Sequence, residues 1–177
     1  VVTIAGTIVD GKASAGTAGG DSIAQSIERA LDKALTEARE QYDYVLIDCP
    51  PSLGLLTVNA LAAANHLLIP VQAEYYALEG LSQLLSVVQR IRAGLNPGLD
   101  LLGVAVTMYD SRTSLSEQVY KELEKHFADK LFKTVVPRNV RLAEAPSHGK
   151  SILEHDKWSK GARAYKALSK ELLERMK

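Results

Sequence analysis

The chain has 177 residues, of which 46% are hydrophobic and 24% charged, and its 21 basic residues balance 21 acidic ones to a formal net charge of zero. Such a length suits one domain with a buried core, and the composition excludes a disordered polar chain. The charge balance excludes a globally basic nucleic-acid binder, so any contact of that kind needs a local patch.

One cysteine, Cys49, excludes an internal disulfide framework and reads as a buried spectator beside Asp48 rather than a reactive thiol. No run of eighteen apolar residues is present to span a membrane, and the opening VVTIAGTIVDGKASAG lacks the charged start and apolar centre of a signal peptide. These features predict a cytoplasmic protein.

Val1 to Ala5 has strand composition, and Thr7-Ile8-Val9 either continues it or forms a second short strand before the Asp10-Gly11 turn. Ala13 to Gly20 is a run of small residues that predicts an exposed loop. Ser22 to Gln25 fits a capping box, and Ile23, Ile27, Leu31, Leu35 and Ala38 form a helical stripe ending near Gln41. Tyr44 to Ile47 is a short apolar run that suits a strand buried on both faces of a parallel sheet. Asp48 then stands at a strand's carboxyl end, where open α/β sheets place ligands. Cys49-Pro50-Pro51-Ser52 turns the chain away, because two prolines remove two ladder donors.

Leu55 to Asn65 reads as a small-residue helix with Leu56, Ala60 and Ala63/Ala64 on one face, and His66 to Val71 as a second buried strand. Together with the preceding strand they make a right-handed βαβ unit. Ala77 to Leu95 predicts a long helix with Leu78, Leu81, Leu85, Val88 and Ile91 facing the sheet, stopped by Asn96-Pro97-Gly98. Leu101 to Met108 is a third strand, Tyr109 to Thr113 the loop at its end, and Ser114 to Phe127 an amphipathic helix. Phe132 to Val136 predicts a short strand, Pro137 to Lys150 a long polar loop, and Lys160 to Met176 a closing helix with Ala164, Leu168 and Leu172 inward. The alternation predicts an α/β fold over residues 1–177: one mainly parallel, doubly wound sheet with helices on both faces.

Four segments, YDYVLIDCPPSLGLLTVNAL, IPVQAEYYALEGLSQLL, VTMYDSRTSLSEQV and VVPRNVRLAEAPSHGKSI, occur in the order in which they occur in one family. Over residues from about 42 to about 173 the chain resembles the ParA (Soj) type of chromosome- and plasmid-partition ATPase, in the MinD-like branch of P-loop proteins. The resemblance implies a P-loop NTPase-like sheet, ATP and Mg²⁺ as cofactors, and an Mg²⁺-dependent ATPase activity. Asp48 matches the Walker B acid, the catalytic and metal-binding position, where a hard carboxylate suits a largely hydrated Mg²⁺. Thr107 and Pro137-Arg138-Asn139 match loops that line the adenine pocket. An ordinary surface loop with a proline at each end is the alternative for the second.

The family also implies an ATP-dependent homodimer on the nucleoid, a ParB-like partner, and sequence-independent DNA binding through basic residues. Arg112, Arg138, Arg141, Lys150, Lys157, Lys160 and Arg163 are the candidates, since phosphate contacts need only positive charge at suitable spacing. A solvated face balanced by Glu144, Glu154 and Asp156 is the competing reading. His148 and His155 lack the spacing of a metal site.

The phosphate-binding half departs from the family, which opens on a strand and a KGGVGKTT-like loop. The nearest match here is Gly6 to Ala13, with Gly11 and Lys12 in place but Ala13 where a hydroxyl meets Mg²⁺, Ile8-Val9 where glycines belong, and Thr7 at the signature lysine. Ala15 to Ser22 keeps Gly20 and Ser22 but puts Asp21 at the lysine. The Asp-x-Asp-Pro segment of the family's second strand is missing as well. Two readings therefore stand: an ATP-switched partition protein, or a ParA-like fold without a working phosphate loop, serving as a scaffold or an engineered truncation.

Overall fold

The computed structural model describes residues 38, 40–49 and 54–177. The strands read at Val1–Ala5 and Thr7–Val9, the Asp10-Gly11 turn, the Ala13–Gly20 loop, the helix start at Ser22 and the turn over Pro50-Pro51-Ser52 lie outside the described residues, as do Gly11 and Lys12. In chain order the α-helices and strands are α1 (Leu55–Ala63), β1 (His66–Gln72), α2 (Tyr75–Gly94), β2 (Asp100–Thr107), α3 (Ser114–Phe127), α4 (Val140–Glu144), α5 (Ile152–His155) and α6 (Lys160–Arg175). They fall into two compact units, Val1–Asn65 with Ser86–Leu99, and His66–Leu85 with Asp100–Lys177.

In the first unit the Tyr42 amide donates to the Ala38 carbonyl (2.9 Å), so a helix ends at Gln41 as the stripe predicts. Tyr44 to Ile47 is not the doubly buried strand expected of it: only Ile47 carries a bridge, and Tyr44 (51%) and Leu46 (60%) are exposed while Val45 and Ile47 are half-buried. Burial on alternate residues is what an extended segment with one covered face gives. Helix α1 buries Thr57, Ala60 and Leu61, one position round from the face read from its alanines. Its carboxyl end is sealed from a distance. The Asn96 amide donates to the carbonyls of Leu61 (3.0 Å) and Ala64 (2.7 Å), two acceptors a helix end leaves open. Asn96→Ala is expected to cost about 1–2 kcal/mol, read from the urea midpoint at an unchanged slope.

The second unit is built on β1 and β2, which run parallel from His66 opposite Asp100 to Gln72 opposite Thr107. A register shift after Leu67 leaves Leu102 unmatched, so Leu68 faces Gly103. One face of this pair, with Ile69, Val71, Val104 and Val106, packs on Leu81 of α2 and on Val119 and Leu123 of α3. The opposite face, with Leu102 and Ala105, packs with Phe132 on Leu168 and Leu172 of α6 and on Met176. Apolar side chains on both faces, each met by helices, are the doubly wound pattern that the unbroken run LLGVAV predicts.

Phe132 to Val136 follows β2 without forming the expected strand. The Phe132 amide donates to Val104 (2.8 Å) and the Val136 amide to Val106 (2.9 Å), with single bridges at Leu131 and Pro137. Between them the amides of Lys133 and Thr134 leave the ladder and donate to the Glu171 carboxylate on α6 (2.8 and 2.9 Å). The long polar loop expected from Pro137 to Lys150 is also structured. Asn139 caps α4 by accepting from the Arg141 amide, a 3-10 turn follows over Ala145–His148, and Gly149 closes it in a left-handed conformation (φ 62°). Ser151 and Glu154 then form the capping box that starts α5.

Candidate nucleotide and nucleic-acid site

In the second unit three segments lie side by side: Gln72–Glu74 and Thr107–Asp110 at the carboxyl ends of β1 and β2, and Pro137–Asn139 next to them. The Ala73 amide donates to the Thr107 carbonyl (2.9 Å), the Tyr109 amide to Val136 (3.1 Å), and the Arg138 amide to Tyr109 (2.9 Å). These bonds extend the sheet's hydrogen bonding into the loops and stiffen the rim. Thr107 adds a long bond from its hydroxyl to the Val71 carbonyl (3.4 Å). Between the anchored amides Met108 takes φ 52°, left-handed for a residue with a side chain, and stands 43% exposed. Such a conformation costs roughly 1–3 kcal/mol and persists where neighbours over-determine it.

Thr107 and Pro137-Arg138-Asn139, expected together from the sequence, are thus brought to one rim. Their side chains differ in what they leave free. The Arg138 guanidinium donates to Glu74 (2.7 Å), and Asn139 Oδ1 accepts from the Arg141 amide (2.9 Å), while the Asn139 amide nitrogen has no acceptor among the described residues. Asp110 is held by Arg112, whose Nε (2.9 Å), Nη2 (2.7 Å) and backbone amide (3.0 Å) all donate to its carboxylate. That fork holds the Asp110 carboxyl well below the usual carboxylate range. The same loop is locked from behind, because the Asp110 amide donates to Ser116 Oγ (3.2 Å) and Thr113 caps α3.

Asp48, in the first unit, is exposed, and its carboxylate has no partner among the described residues. Both oxygens are available as hard ligands, which fits a largely hydrated Mg²⁺ that needs only one or two carboxylates. Among the described residues no three His, Cys, Asp or Glu side chains converge as a metal cluster. Next to Asp48, burial pushes the Cys49 thiol up, and the Asp48 charge adds to the shift.

The basic candidates divide into two groups. Arg112, Arg138 and Arg141 are paired, the last with Glu144 (2.8 Å) and more loosely with Asp156 (3.7 Å). Lys150, Lys160 and Arg163 carry no ion pair among the described residues and are exposed, and Lys157 lies over the Trp158 ring (5.3 Å to the centroid). The acids expected to balance them take their hydrogen bonds from other residues, although Glu154 still interacts with Lys150. Glu144 is held down first by Arg141 and also by His155, Glu154 by the Ser151 hydroxyl and amide, and Asp156 accepts from the Trp158 amide (3.1 Å). Trp158 itself, 78% exposed, was not singled out by the sequence patterns, because a lone tryptophan between lysines has no periodicity to mark it.

The AAA domain family matches residues 21–101, a span that begins ahead of Tyr42 and includes Asp48. The chromosome-partitioning ATPase Soj of Thermus thermophilus is 58% identical over 147 residues, 83% of this chain and 58% of that protein. The crystal structure of cobyrinic acid a,c-diamide synthase from Mycobacterium smegmatis, with bound ATP analog and magnesium, aligns with a TM-score of 0.65 at 36% identity, over 82% of this chain and 52% of that one. The cell division ATPase MinD of Pyrococcus furiosus aligns with a TM-score of 0.67 at 21% identity, over 87% of this chain and 61% of that one, a likeness of fold alone. The chain spans about three fifths of the length of the curated relatives it matches. The α/β P-loop NTPase-like fold read from the sequence is the fold of these neighbours.

Proposed function

The chain belongs to the ParA/Soj family of chromosome-partitioning ATPases, and on that premise we propose that it is an ATP-responsive partition protein that binds ATP with Mg²⁺, dimerises in response, and holds DNA without regard to sequence. The observation that carries the proposal is the stiffened rim, where Pro137–Asn139 meets Thr107 and Tyr109 at the carboxyl end of β2. Open α/β sheets bind their ligands there.

In this reading the Asp48 carboxylate holds Mg²⁺ through water, and Mg²⁺ when bound neutralises phosphate oxygens. Pro137 and the free amide of Asn139 flank the base. Arg138 acts through its backbone and its Glu74 pair, which fix the loop, rather than by reaching the nucleotide. Gly11 and Lys12 supply the phosphate loop. Among the basic residues, the unpaired Lys150, Lys160 and Arg163 with Lys157 contact DNA phosphates, whereas Arg112 and Arg141 hold their own loops. The protein works in the cytoplasm on the nucleoid, and a ParB-like partner regulates its turnover.

Isothermal titration with ATP tests this directly. Saturable heat that requires Mg²⁺, and that loses this requirement in Asp48→Asn, is the expected result. Steady-state turnover is expected to be weak, since Ala13 offers Mg²⁺ no hydroxyl and Ile8-Val9 stiffens a backbone that has to wrap a phosphate. Whatever turnover exists should vanish in Lys12→Ala. Those same three residues favour the second reading, a fold without a working phosphate loop that serves as a scaffold. Absence of any ATP heat decides for it.

A further inference from the structure

Trp158 is the chain's single tryptophan, and it is 78% exposed. Its position is nevertheless fixed. The Trp158 amide donates to Asp156 Oδ1 (3.1 Å), the Ser159 hydroxyl donates to the Asp156 carbonyl (2.9 Å), and Ser159 Oγ accepts from the Ala162 amide (3.0 Å) to cap α6. Behind it, Gly161 presses on α4 so closely that a β-carbon there would stand 2.6 Å from Leu142 Cγ. The indole therefore projects from a rigid corner rather than from a loose loop.

Its surroundings are cationic. Lys157 lies against the ring, Lys160 and Arg163 follow on α6 with no acid in that helix's first turn, and Lys150 precedes α5. Among the acids nearby, Glu144 pairs with Arg141 (2.8 Å) and Glu154 interacts with Lys150, which leaves Lys157, Lys160 and Arg163 against Asp156. An exposed ring with cations close to it in the chain on both sides is complementary to a polyanion that also offers flat faces. Single-stranded nucleic acid is such a ligand, with phosphates for the lysines and unstacked bases for the ring. Duplex DNA offers the phosphates but keeps its bases stacked. A membrane surface fits less well, because the apolar residues Leu168 and Leu172 of α6 are turned to the sheet.

We propose that Trp158 is a stacking platform for an unpaired base, so that the face made by Trp158, Lys157, Lys160, Arg163 and Lys150 prefers single-stranded DNA to duplex. The proposal deepens the DNA-binding part of the function proposed above and rests on it.

The test is fluorescence anisotropy of the full chain, with ATP and Mg²⁺ in the buffer, against labelled oligothymidylate and a duplex of equal length. Because Trp158 is the single tryptophan, its own emission reports the contact. The expected results are tighter binding of the single strand, quenching of the emission by it, and a loss of roughly tenfold in single-strand affinity in Trp158→Ala, with rescue by Trp158→Phe and little change for duplex. Lys157→Ala should weaken both ligands and lower the salt slope by about one.

Equal affinity of the wild-type chain for both DNAs with unchanged emission overturns the stacking role while leaving sequence-independent DNA binding in place. Binding of neither DNA overturns both. Emission that shifts to the blue with vesicles containing phosphatidylserine, and not with DNA, overturns the proposal in favour of a membrane surface.

Discussion

Gly103→Ala is expected to destabilise the protein by about 3 kcal/mol or more, the largest single-methyl effect among the described glycines. Gly103 sits on β2 beside the register shift, on the face that meets α6. A β-carbon there would collide with the Lys130 carbonyl oxygen and lie 2.6 and 2.9 Å from two carbons of the Phe132 ring. Phe132 is fully buried, its amide is tied to Val104 (2.8 Å), and Arg175 lies 4.0 Å above its ring, so neither backbone nor ring can give way cheaply. The natural control is Gly80→Ala. Gly80 is inside α2 with nothing within 4 Å of the added carbon, and the change there should be neutral or stabilise by roughly 0.5–1 kcal/mol through helix propensity and chain entropy. Urea midpoints of the two variants that move by the same amount would refute the close-approach argument.

The contrast between those two glycines marks where sequence reading succeeds. Helices α2, α3 and α6 and strands β1 and β2 were legible within a residue or two because each is long and keeps one period throughout. Segment 132–136 has strand composition, but two of its amides answer to a carboxylate 38 and 37 residues further along the chain, which no local window contains. Helices α4 and α5, with 5 and 4 residues, are too short for an apolar stripe and are defined by their caps at Asn139 and Ser151.

At the site, the family resemblance implied that Thr107 and Pro137–Asn139 belong to neighbouring loops, and their backbones do meet at one rim, because a strand's end fixes its neighbour's. Charges were less legible. Arg112, Arg138 and Arg141 read either as DNA-binding candidates or as part of a balanced face, and each has an acid at hand, a distinction that only coordinates make. The Asp110–Arg112 fork spans two residues within a turn and was in principle visible as an aspartate followed by an arginine at i+2.

The second large effect is expected at the clasp between α6 and the far edge of the sheet. Glu171 accepts from the amides of Lys133 and Thr134 and from Arg175 (3.1 Å), and its side chain is only 16% exposed. Arg175 in turn donates to the carbonyls of Leu131 (2.6 Å), Asp129 (3.0 Å) and, at longer range, Leu102 (3.4 Å), while lying over Phe132.

Truncating either residue strands several polar groups at once, and Glu171→Ala should cost about 3 kcal/mol. Its acid dependence follows from the carboxyl group itself. Burial raises the Glu171 pKa, but the two amides, the Thr134 side chain and Arg175 together outweigh burial and lower it. A folded pKa below the unfolded one means that the clasp's contribution is complete above the ordinary glutamate range and is lost as the pH falls through the folded value. The stability gap between wild type and Glu171→Gln should therefore stay constant near neutrality and narrow below about pH 4. Asp110, Glu144 and Glu154 are lowered too, so both proteins lose stability in acid, and the difference between their curves isolates Glu171. A gap that stays level down to pH 3, or that widens there, would show that the two amides are held by geometry alone and not by the charge of the carboxylate.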